Sequence, residues 1–269
     1  MDKTSDPRTT DMQLAIQTYT VRRELAEDIG ETCERIRSLG IEAVELARVD
    51  WTQQTADRVV RSGLKVTSIQ VKPVLLEADP DGIAAFCRTV GCPLVVASVL
   101  STRAIFGGVR AIRKFAAELN ELARMYAARG LAFAFHHHDF EFARAGGRRK
   151  FDILLEATDP AVKFVVDTYW VTKSGVDPAL WIEALGARVI GLHLRDCVPR
   201  KGCAFAHDAP CGAGIVDFPA VLAAAAGHAS YAAIEQNSKR PFDDLAQSIR
   251  YLRSNATTHF AFQEDSNAD

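Results

Sequence analysis

The stretch ARGLAFAFH, residues 128–136, shows the pattern that decides the fold. A glycine follows a helix-forming segment, and a short, almost wholly apolar run comes directly after it. Glycine readily adopts the left-handed backbone conformation that ends a helix. Apolar runs of this length are typical of strands that are buried on both faces of a parallel sheet. The stretch therefore predicts a helix end, a tight turn and a buried strand.

The same pattern recurs along the chain. Glycines precede five further apolar runs: IEAVEL at 41–46, LKVTSI at 64–69, CPLVVAS at 92–98, ARVIGLHL at 187–194 and HASYAAIE at 228–235. Two more strand candidates are MQLAIQTYTV at 12–21 and VKFVVD at 162–167. Helical periodicity fills the intervals and is clearest at 108–129 and 241–255. Eight strands that alternate with helices predict an α/β protein with a closed (β/α)8 TIM barrel.

We expect this barrel to be a single domain over residues 12–254, with flexible tails at 1–11 and 255–269. An open, doubly wound sheet is the alternative. That fold favours a glycine-rich loop after an early strand, whereas the turn after the first strand candidate contains no glycine before Gly30. The closed barrel therefore remains the preferred interpretation.

Composition limits the classes of partner and the compartment. The 32 basic and 34 acidic residues give a net charge of -2, which argues against a dedicated nucleic-acid binder. No apolar run is long enough to span a membrane, and the N-terminus is polar. The six cysteines form no CxxC pair, as in reduced cytosolic proteins. We expect a cytoplasmic protein without a membrane partner, and the sequence leaves open whether it forms a homo-oligomer.

Polar residues close the predicted strands, at the end of a TIM barrel where active sites form. They are Gln17, Glu45, Gln70, Ser98, His136, His137, His138, Asp167, His193 and Glu235. Carboxylates buried together are costly unless they are paired or bind a metal. A divalent cation is therefore predicted, with Mn²⁺ first and Mg²⁺, Co²⁺ or Zn²⁺ as alternatives. The competing interpretation is a set of strand-end caps and ion pairs with Arg195 and Lys239.

The three consecutive histidines differ in the direction that each should face. Alternate residues of a strand face opposite sides, so His136 and His138 share one face and His137 faces the other. We therefore expect His137 to pack or to hydrogen-bond, whereas His136 and His138 are candidates for catalysis.

Several segments resemble the xylose-isomerase-like TIM barrels known as sugar phosphate isomerases/epimerases. FHHHDFEF at 135–142 resembles that family's Y-H-N-H-D-F-E-F signature, and GAGIVDF at 212–218 resembles its G-x-G-x-(I/V)-D-F loop. LAIQTYTVR, VVDTYW and VIGLHLRD are also similar, so the resemblance covers roughly residues 12–252. One departure is Gln70, where relatives often carry a histidine after the third strand.

The resemblance implies a metal site whose ligands come from strands five to eight. Asp167, His193 and Glu235 match three of these ligands, and we assign Glu141 as the fourth because it restores a carboxylate. His138 competes with Glu141 for this role, and His136 stands where sugar epimerases have their first ligand. Glu45, Gln70, Arg195 and His207 are assigned to substrate binding; His207 lies in a long loop, 197–214.

The implied activity is a metal-dependent isomerase or epimerase that acts on a keto sugar or related polyol. The reaction would begin with removal of a proton next to the carbonyl and pass through an enediolate. The candidate acid/base groups are Glu141, Glu235, His136 and His138. The alternative is a dehydratase or lyase on an inosose or 3-keto sugar, and a nuclease related to the AP endonucleases or a non-catalytic sugar-binding barrel is less favoured.

The loop at 212–217 also offers a candidate anion site. Gly212 and Gly214 precede a predicted helix, and Arg200 and Lys201 lie nearby in the sequence. Backbone N–H groups at such a position bind phosphate in many proteins. We favour the simpler interpretation, in which the glycines shape a turn and Asp217 caps the helix.

Overall fold

Eight parallel strands close into a barrel in the computed structural model, which describes residues 12–199 and 207–260. Each strand pairs with its neighbours in sequence, and the last pairs with the first. This arrangement confirms the predicted TIM barrel. In chain order the strands are β1 Gln13–Gln17, β2 Ala43–Leu46, β3 Lys65–Val71, β4 Leu94–Ala97, β5 Ala132–His136, β6 Val162–Asp167, β7 Val189–Leu194 and β8 Tyr231–Ile234.

Helices follow the strands and cover the outside of the barrel. They are α1 Arg22–Glu27, α2 Ile29–Ser38, α3 Gln53–Ser62, α4 Pro73–Ala78, α5 Pro80–Val90, α6 Thr102–Phe106, α7 Val109–Ala127, α8 Lys150–Ala157, α9 Thr168–Lys173, α10 Pro178–Leu185, α11 Phe218–Ala225 and α12 Pro241–Asn255. Three 3-10 turns, Thr18–Val21, Phe140–Phe142 and Gly186–Arg188, lie between elements. Two short hairpins pair Arg144–Ala145 with Arg148–Arg149 and Asp196–Val198 with His207–Ala209.

Glycines end helices where the sequence places them. Gly63 after α3 and Gly91 after α5 have φ angles of 70° and 67°. A residue with a Cβ would be strained in this left-handed conformation. The chain can therefore reverse at once into the next strand.

The core has two layers. One lies between the strands and the helices and contains most of the large apolar side chains, including Phe115, Phe151 and Phe218. The other lies inside the barrel and combines four alanines with four larger side chains: Ala15, Ala43, Ala134 and Ala233 with Leu94, Val96, Val165 and Tyr231. The alanines leave room for buried polar residues such as Glu45 and His193.

The predicted tails fall mostly outside the described residues, which exclude 1–11 and 261–269. The segment from Asn255 to Phe260 packs against the barrel: Phe260 is buried, and the backbone N–H of Met12 donates to the His259 carbonyl at 3.2 Å. Five cysteines, at 33, 87, 92, 197 and 211, are free and buried. No helix within 12–199 or 207–260 has the length and hydropathy that a bilayer crossing requires.

Candidate active site

Four side chains meet at the C-terminal ends of β5, β6, β7 and β8. They are His136, Asp167, His193 and Glu235, and each offers a ligand atom within 4.8 Å of the others. The first three end or nearly end their strands, and Glu235 directly follows β8. All four are buried. Barrel closure therefore brings together three of the four residues predicted as metal ligands, and adds His136.

His193 has one ring nitrogen held by the protein and one turned toward the cluster. Its Nε2 lies 2.8 Å from Glu45 Oε1 in a hydrogen bond. Its Nδ1 lies 2.8 Å from Glu235 Oε2 and 3.9 Å from Asp167 Oδ2, without hydrogen-bonding geometry. Burial opposes a charged imidazole, but the two glutamates outweigh it and raise the pKa of His193 to about 10. The imidazole therefore lies where the carboxylates converge, with Nδ1 on the side of Asp167 and Glu235.

His136 is the strongest sign that the cluster binds a ligand. Both of its ring nitrogens are buried and have no hydrogen-bond partner among the described residues. Nε2 lies 3.6 Å from Asp167 Oδ2, and the ring centroid is 4.5 Å from that of His193. Buried polar atoms without partners cost free energy and need an explanation. A cation between these nitrogens and carboxylates would satisfy them.

The two carboxylate oxygens of Asp167 have different contacts: one caps a helix and the other faces the cluster. Oδ1 accepts from the backbone N–H groups of Tyr169 and Trp170 at the start of α9, at 2.9 and 3.2 Å. Oδ2 faces the cluster and Arg195. Burial alone would raise the pKa of Asp167, but the Arg195 guanidinium and the two nearby histidines hold it well below its usual value. The carboxylate is therefore ionised and fixed in direction by the helix.

Arg195 forms ion pairs with three acidic residues of the site. Its Nη1 lies 3.2 Å from both Asp167 Oδ2 and Glu235 Oε1, and its Nε and Nη2 donate to Asp208 at 3.2 and 2.8 Å. Burial would lower the pKa of Arg195, yet the three carboxylates raise it. This geometry matches part of the competing ion-pair interpretation, whereas Lys239 is exposed. Asp208, which sequence reasoning missed, holds the guanidinium and carried no sequence signal.

Glu45 lies inside the barrel rather than on its open surface. Oε1 accepts from Gln17 Nε2 at 2.5 Å and contacts His193, while Oε2 accepts from Ser68 Oγ at 2.6 Å and from the Tyr231 hydroxyl. Burial opposes ionisation, but His193 outweighs it and lowers the pKa of Glu45. Glu45 was assigned to substrate binding. The structure instead places it behind His193, where it fixes the imidazole.

The other histidines of the triplet differ as the strand alternation predicts. His137 packs between Phe142 and Phe151, and its Nε2 accepts from the Asp167 backbone N–H at 3.2 Å. His138 follows β5 and faces the cavity, with its ring 5.3 Å from that of Trp170. Burial, aided by His136, lowers the pKa of His138 to about 3. His138 is therefore neutral near pH 7.

Glu141 does not join the cluster, although the sequence assigned it as the first ligand. It lies on the 3-10 turn Phe140–Phe142, and its Oε2 accepts from the His138 backbone N–H at 2.9 Å. The turn folds the side chain back against the end of β5. His136 ends β5 as Asp167 ends β6, and this strand-end position was the sequence signal for it.

A cavity of about 470 Å³ opens beside the cluster. His136, His138, Arg195 and Glu235 line it, as does Gln70, one of the predicted substrate contacts. Glu45 and Glu141 are buried away from its wall, and His207 is an exposed residue at the start of a hairpin strand. The volume is sufficient for a small molecule.

The backbone N–H groups of the glycine loop at 212–216 donate to a carboxylate of the protein itself, that of Asp196. Asp196 Oδ2 accepts from the backbone N–H groups of Gly212 and Gly214 at 2.9 and 2.8 Å, and Oδ1 accepts from Val216 at 3.1 Å. Asp217 caps α11 through Ala220 at 3.1 Å. These contacts confirm a structural turn. Arg200 and Lys201 lie outside the described residues.

Comparisons with known proteins agree with the barrel fold. A family model for the xylose isomerase-like TIM barrel matches residues 33–255. No match is found among curated proteins.

Three solved structures illustrate the likeness of fold. A sugar phosphate isomerase/epimerase from Parabacteroides distasonis has a TM-score of 0.75 at 19% identity, covering 94% of this chain and 97% of that one. The probable 3-DHS dehydratase AsbF of Bacillus anthracis has a TM-score of 0.72 at 13% identity, with coverages of 91% and 100%. The IOLI protein with a bound zinc atom has a TM-score of 0.69 at 16% identity, with coverages of 93% and 100%. At these identities the likeness shows the fold alone.

Proposed function

Because the chain belongs to the xylose isomerase-like TIM barrel family, we propose that it is a divalent-metal-dependent isomerase or epimerase. Its substrate is a keto sugar or related polyol, from which it removes a proton next to the carbonyl. The observation that carries the proposal is the buried cluster of two imidazoles and two carboxylates beside a cavity. The unpartnered nitrogens of His136 are the part of that cluster that a structural ion-pair network does not explain.

We propose His136, Asp167, His193 and Glu235 as the metal ligands, with His136 in the place first assigned to Glu141. Two imidazoles and two carboxylates suit Mn²⁺, Co²⁺ or Zn²⁺ better than Mg²⁺, which prefers oxygen ligands. A cation held there would act as a Lewis acid on the substrate carbonyl and acidify the adjacent C–H bond. Arg195 contributes a fixed positive charge beside the same carboxylates.

His138 is the proposed proton acceptor. It lines the cavity, and its buried Nδ1 has no hydrogen-bond partner among the described residues. Glu235 also lines the cavity and is the second group for proton transfer. Return of the proton to the neighbouring carbon gives isomerisation, and return to the opposite face gives epimerisation. Glu141 supports the His138 backbone and so positions this residue.

A dehydratase or lyase is the second candidate. It would begin with the same proton removal and then expel a β-hydroxyl group, so the same residues would serve. The observation that favours this candidate is the likeness of fold to a structure described as a probable 3-DHS dehydratase.

The experiment is proton exchange in D₂O with a panel of keto sugars and inososes. We expect deuterium at a carbon next to the carbonyl, loss of exchange with chelator, and recovery with Mn²⁺ or Co²⁺. His138→Asn should keep the metal and slow exchange by roughly 100-fold or more. His228→Asn, a change at an exposed residue, is the matched control. Turnover that survives complete metal removal would disprove the proposal.

A further inference from the structure

We infer that the substrate carries an anionic group, a phosphate or a carboxylate, that binds to Arg48 and Lys72. This inference rests on the proposed function, because it places the carbonyl end of the substrate at the metal cluster. Both cations line the same cavity as His136 and Glu235. Arg48 follows β2 and Lys72 follows β3, across the barrel from β6 and β7.

The charges divide the cavity into two parts. The cluster side is acidic, and Arg195 is the cation that its carboxylates hold. On the other side, no carboxylate of the described chain forms an ion pair with Arg48 or Lys72. Lys173 shows the contrast, since it lies 2.7 Å from Asp139 Oδ2. Both side chains are exposed and line the cavity, and cations placed in this way without a carboxylate partner are suited to bind an anion.

The backbone of Arg48 is the second observation. Its φ angle of 62° makes it the only non-glycine residue with a positive φ in the described part of the chain. An L-residue with a Cβ is strained in this region, and such strain is concentrated at functional sites. Glycine would adopt the conformation without strain, so the arginine is not there for the turn itself. In this conformation Arg48 is one of the residues that line the cavity.

Tyr19 holds the basic side in place. The Arg22 guanidinium lies 4.1 Å and the Arg48 guanidinium 5.3 Å from the centre of its ring. Arg22 also donates to the Tyr19 carbonyl at 2.7 Å. A third positive charge thus lies close to the pair and strengthens the attraction for an anion. Tyr19 and Trp51 line the same part of the cavity and offer apolar surface to a sugar carbon chain.

The test compares three probes of similar size by calorimetric titration of the Mn²⁺-loaded protein: D-fructose, D-fructose 6-phosphate and D-fructuronate. We expect at least one anionic probe to bind more tightly than fructose, and the two anionic probes to show which group the site prefers. Arg48→Gly should weaken the binding of the anionic probe by roughly 10- to 100-fold and leave the affinity for fructose unchanged. Because glycine relieves the strain, this variant should also melt at an equal or higher temperature.

Further variants separate charge from shape. Lys72→Gln should weaken the binding of the anionic probe but not of fructose, and Arg48→Lys should keep part of the affinity for the anionic probe. Arg110→Gln on α7 is the control and should leave the binding of all probes unchanged. Equal binding of all three probes, no binding of either anionic probe, or equal weakening of fructose and the anionic probe in Arg48→Gly would overturn the inference. Selective anion binding without proton exchange would instead refute the proposed function and leave the anion site standing.

Discussion

Glu45 is the residue through which the barrel interior acts on the candidate metal site. Its carboxylate accepts hydrogen bonds from the side chains of Gln17, Ser68 and Tyr231. It also forms a hydrogen bond with the Nε2 atom of His193. With Nε2 engaged, Nδ1 is the nitrogen that remains for a metal. Carboxylates that hold a ligand histidine in this way typically change metal affinity by 10- to 100-fold when removed.

We therefore expect Glu45→Gln to weaken metal binding by roughly 10- to 100-fold, as measured by competition with a chelating dye. The amide would replace one of the two carboxylate acceptors with a donor. Glu42→Gln on the same segment, at an exposed glutamate beside Lys65, should leave metal affinity unchanged. Equal metal affinity in wild type and Glu45→Gln would show that His193 does not depend on this contact.

Glu141 gives a pH-dependent contribution to stability. Burial, opposed by the His138 N–H, raises the pKa of Glu141 from its ordinary 4.5 to about 7. The folded protein therefore binds this proton more tightly than the unfolded chain. The stabilisation is complete below pH 4.5 and is lost as the pH rises to about 7.

Glu141→Gln removes this titration. Relative to the variant, the wild type should lose up to about 3 kcal/mol of unfolding free energy between pH 4.5 and pH 8, measured by urea denaturation. Glu156→Gln is the control of opposite sign, because its bond with Arg148 lowers the pKa of Glu156. A pH-independent difference between wild type and Glu141→Gln would refute the assignment.

At the scale of elements, Asp196 connects the end of β7 to the loop before α11. Its two oxygens accept four backbone N–H groups, from Cys197, Gly212, Gly214 and Val216. A Cβ on Gly214 would lie 2.2 Å from Asp196 Oδ1, so the loop needs a glycine there. The two family-like motifs VIGLHLRD and GAGIVDF are thus the two halves of one contact.

Asp196→Asn should destabilise the protein by about 3 kcal/mol in urea denaturation. The single oxygen of an amide can accept from only some of the four backbone N–H groups, and the NH₂ group adds a donor that has no acceptor. Asp217→Asn is the matched control, since asparagine caps a helix as well as aspartate does. It should cost less than about 0.5 kcal/mol. Similar losses in both variants would mean that the loop does not depend on the Asp196 carboxylate.

At the scale of the whole molecule, the candidate site depends on barrel closure. Its four residues come from four strands, and His136 and Glu235 are 99 positions apart in the sequence. A bound cation would therefore connect the second half of the barrel and stabilise the folded state only. Folding free energy and metal binding should be linked.

We expect Mn²⁺ at a hundredfold excess over its dissociation constant to stabilise the protein by about 2.7 kcal/mol, which corresponds to a rise in melting temperature of roughly 5–10 °C. Chelator should reverse the shift, and His136→Ala should abolish it. His228→Ala should retain it. A shift of equal size in His136→Ala would remove His136 from the ligand set.

The sequence by itself determined the barrel and its eight strands. Each strand is a short apolar run, six of them after a glycine, and this information is local: propensity, burial and turn chemistry act over a few neighbouring residues. Asp167, His193 and Glu235 were also found locally, because each marks the point where an apolar strand stops. His136 met the same criterion, yet the preference for a carboxylate favoured Glu141.

Only the tertiary structure decided which side chains meet and which way they face. The position of Glu45 behind His193 joins residues 148 positions apart. The contacts of Glu141 with the His138 backbone and of Asp208 with Arg195 are closer in sequence, but they depend on how a 3-10 turn and a hairpin fold at the barrel mouth. The left-handed Arg48 likewise follows no sequence rule for turns. Strand propensity fixes where a chain is extended, but distances across a barrel exist only once it has closed and its side chains have packed.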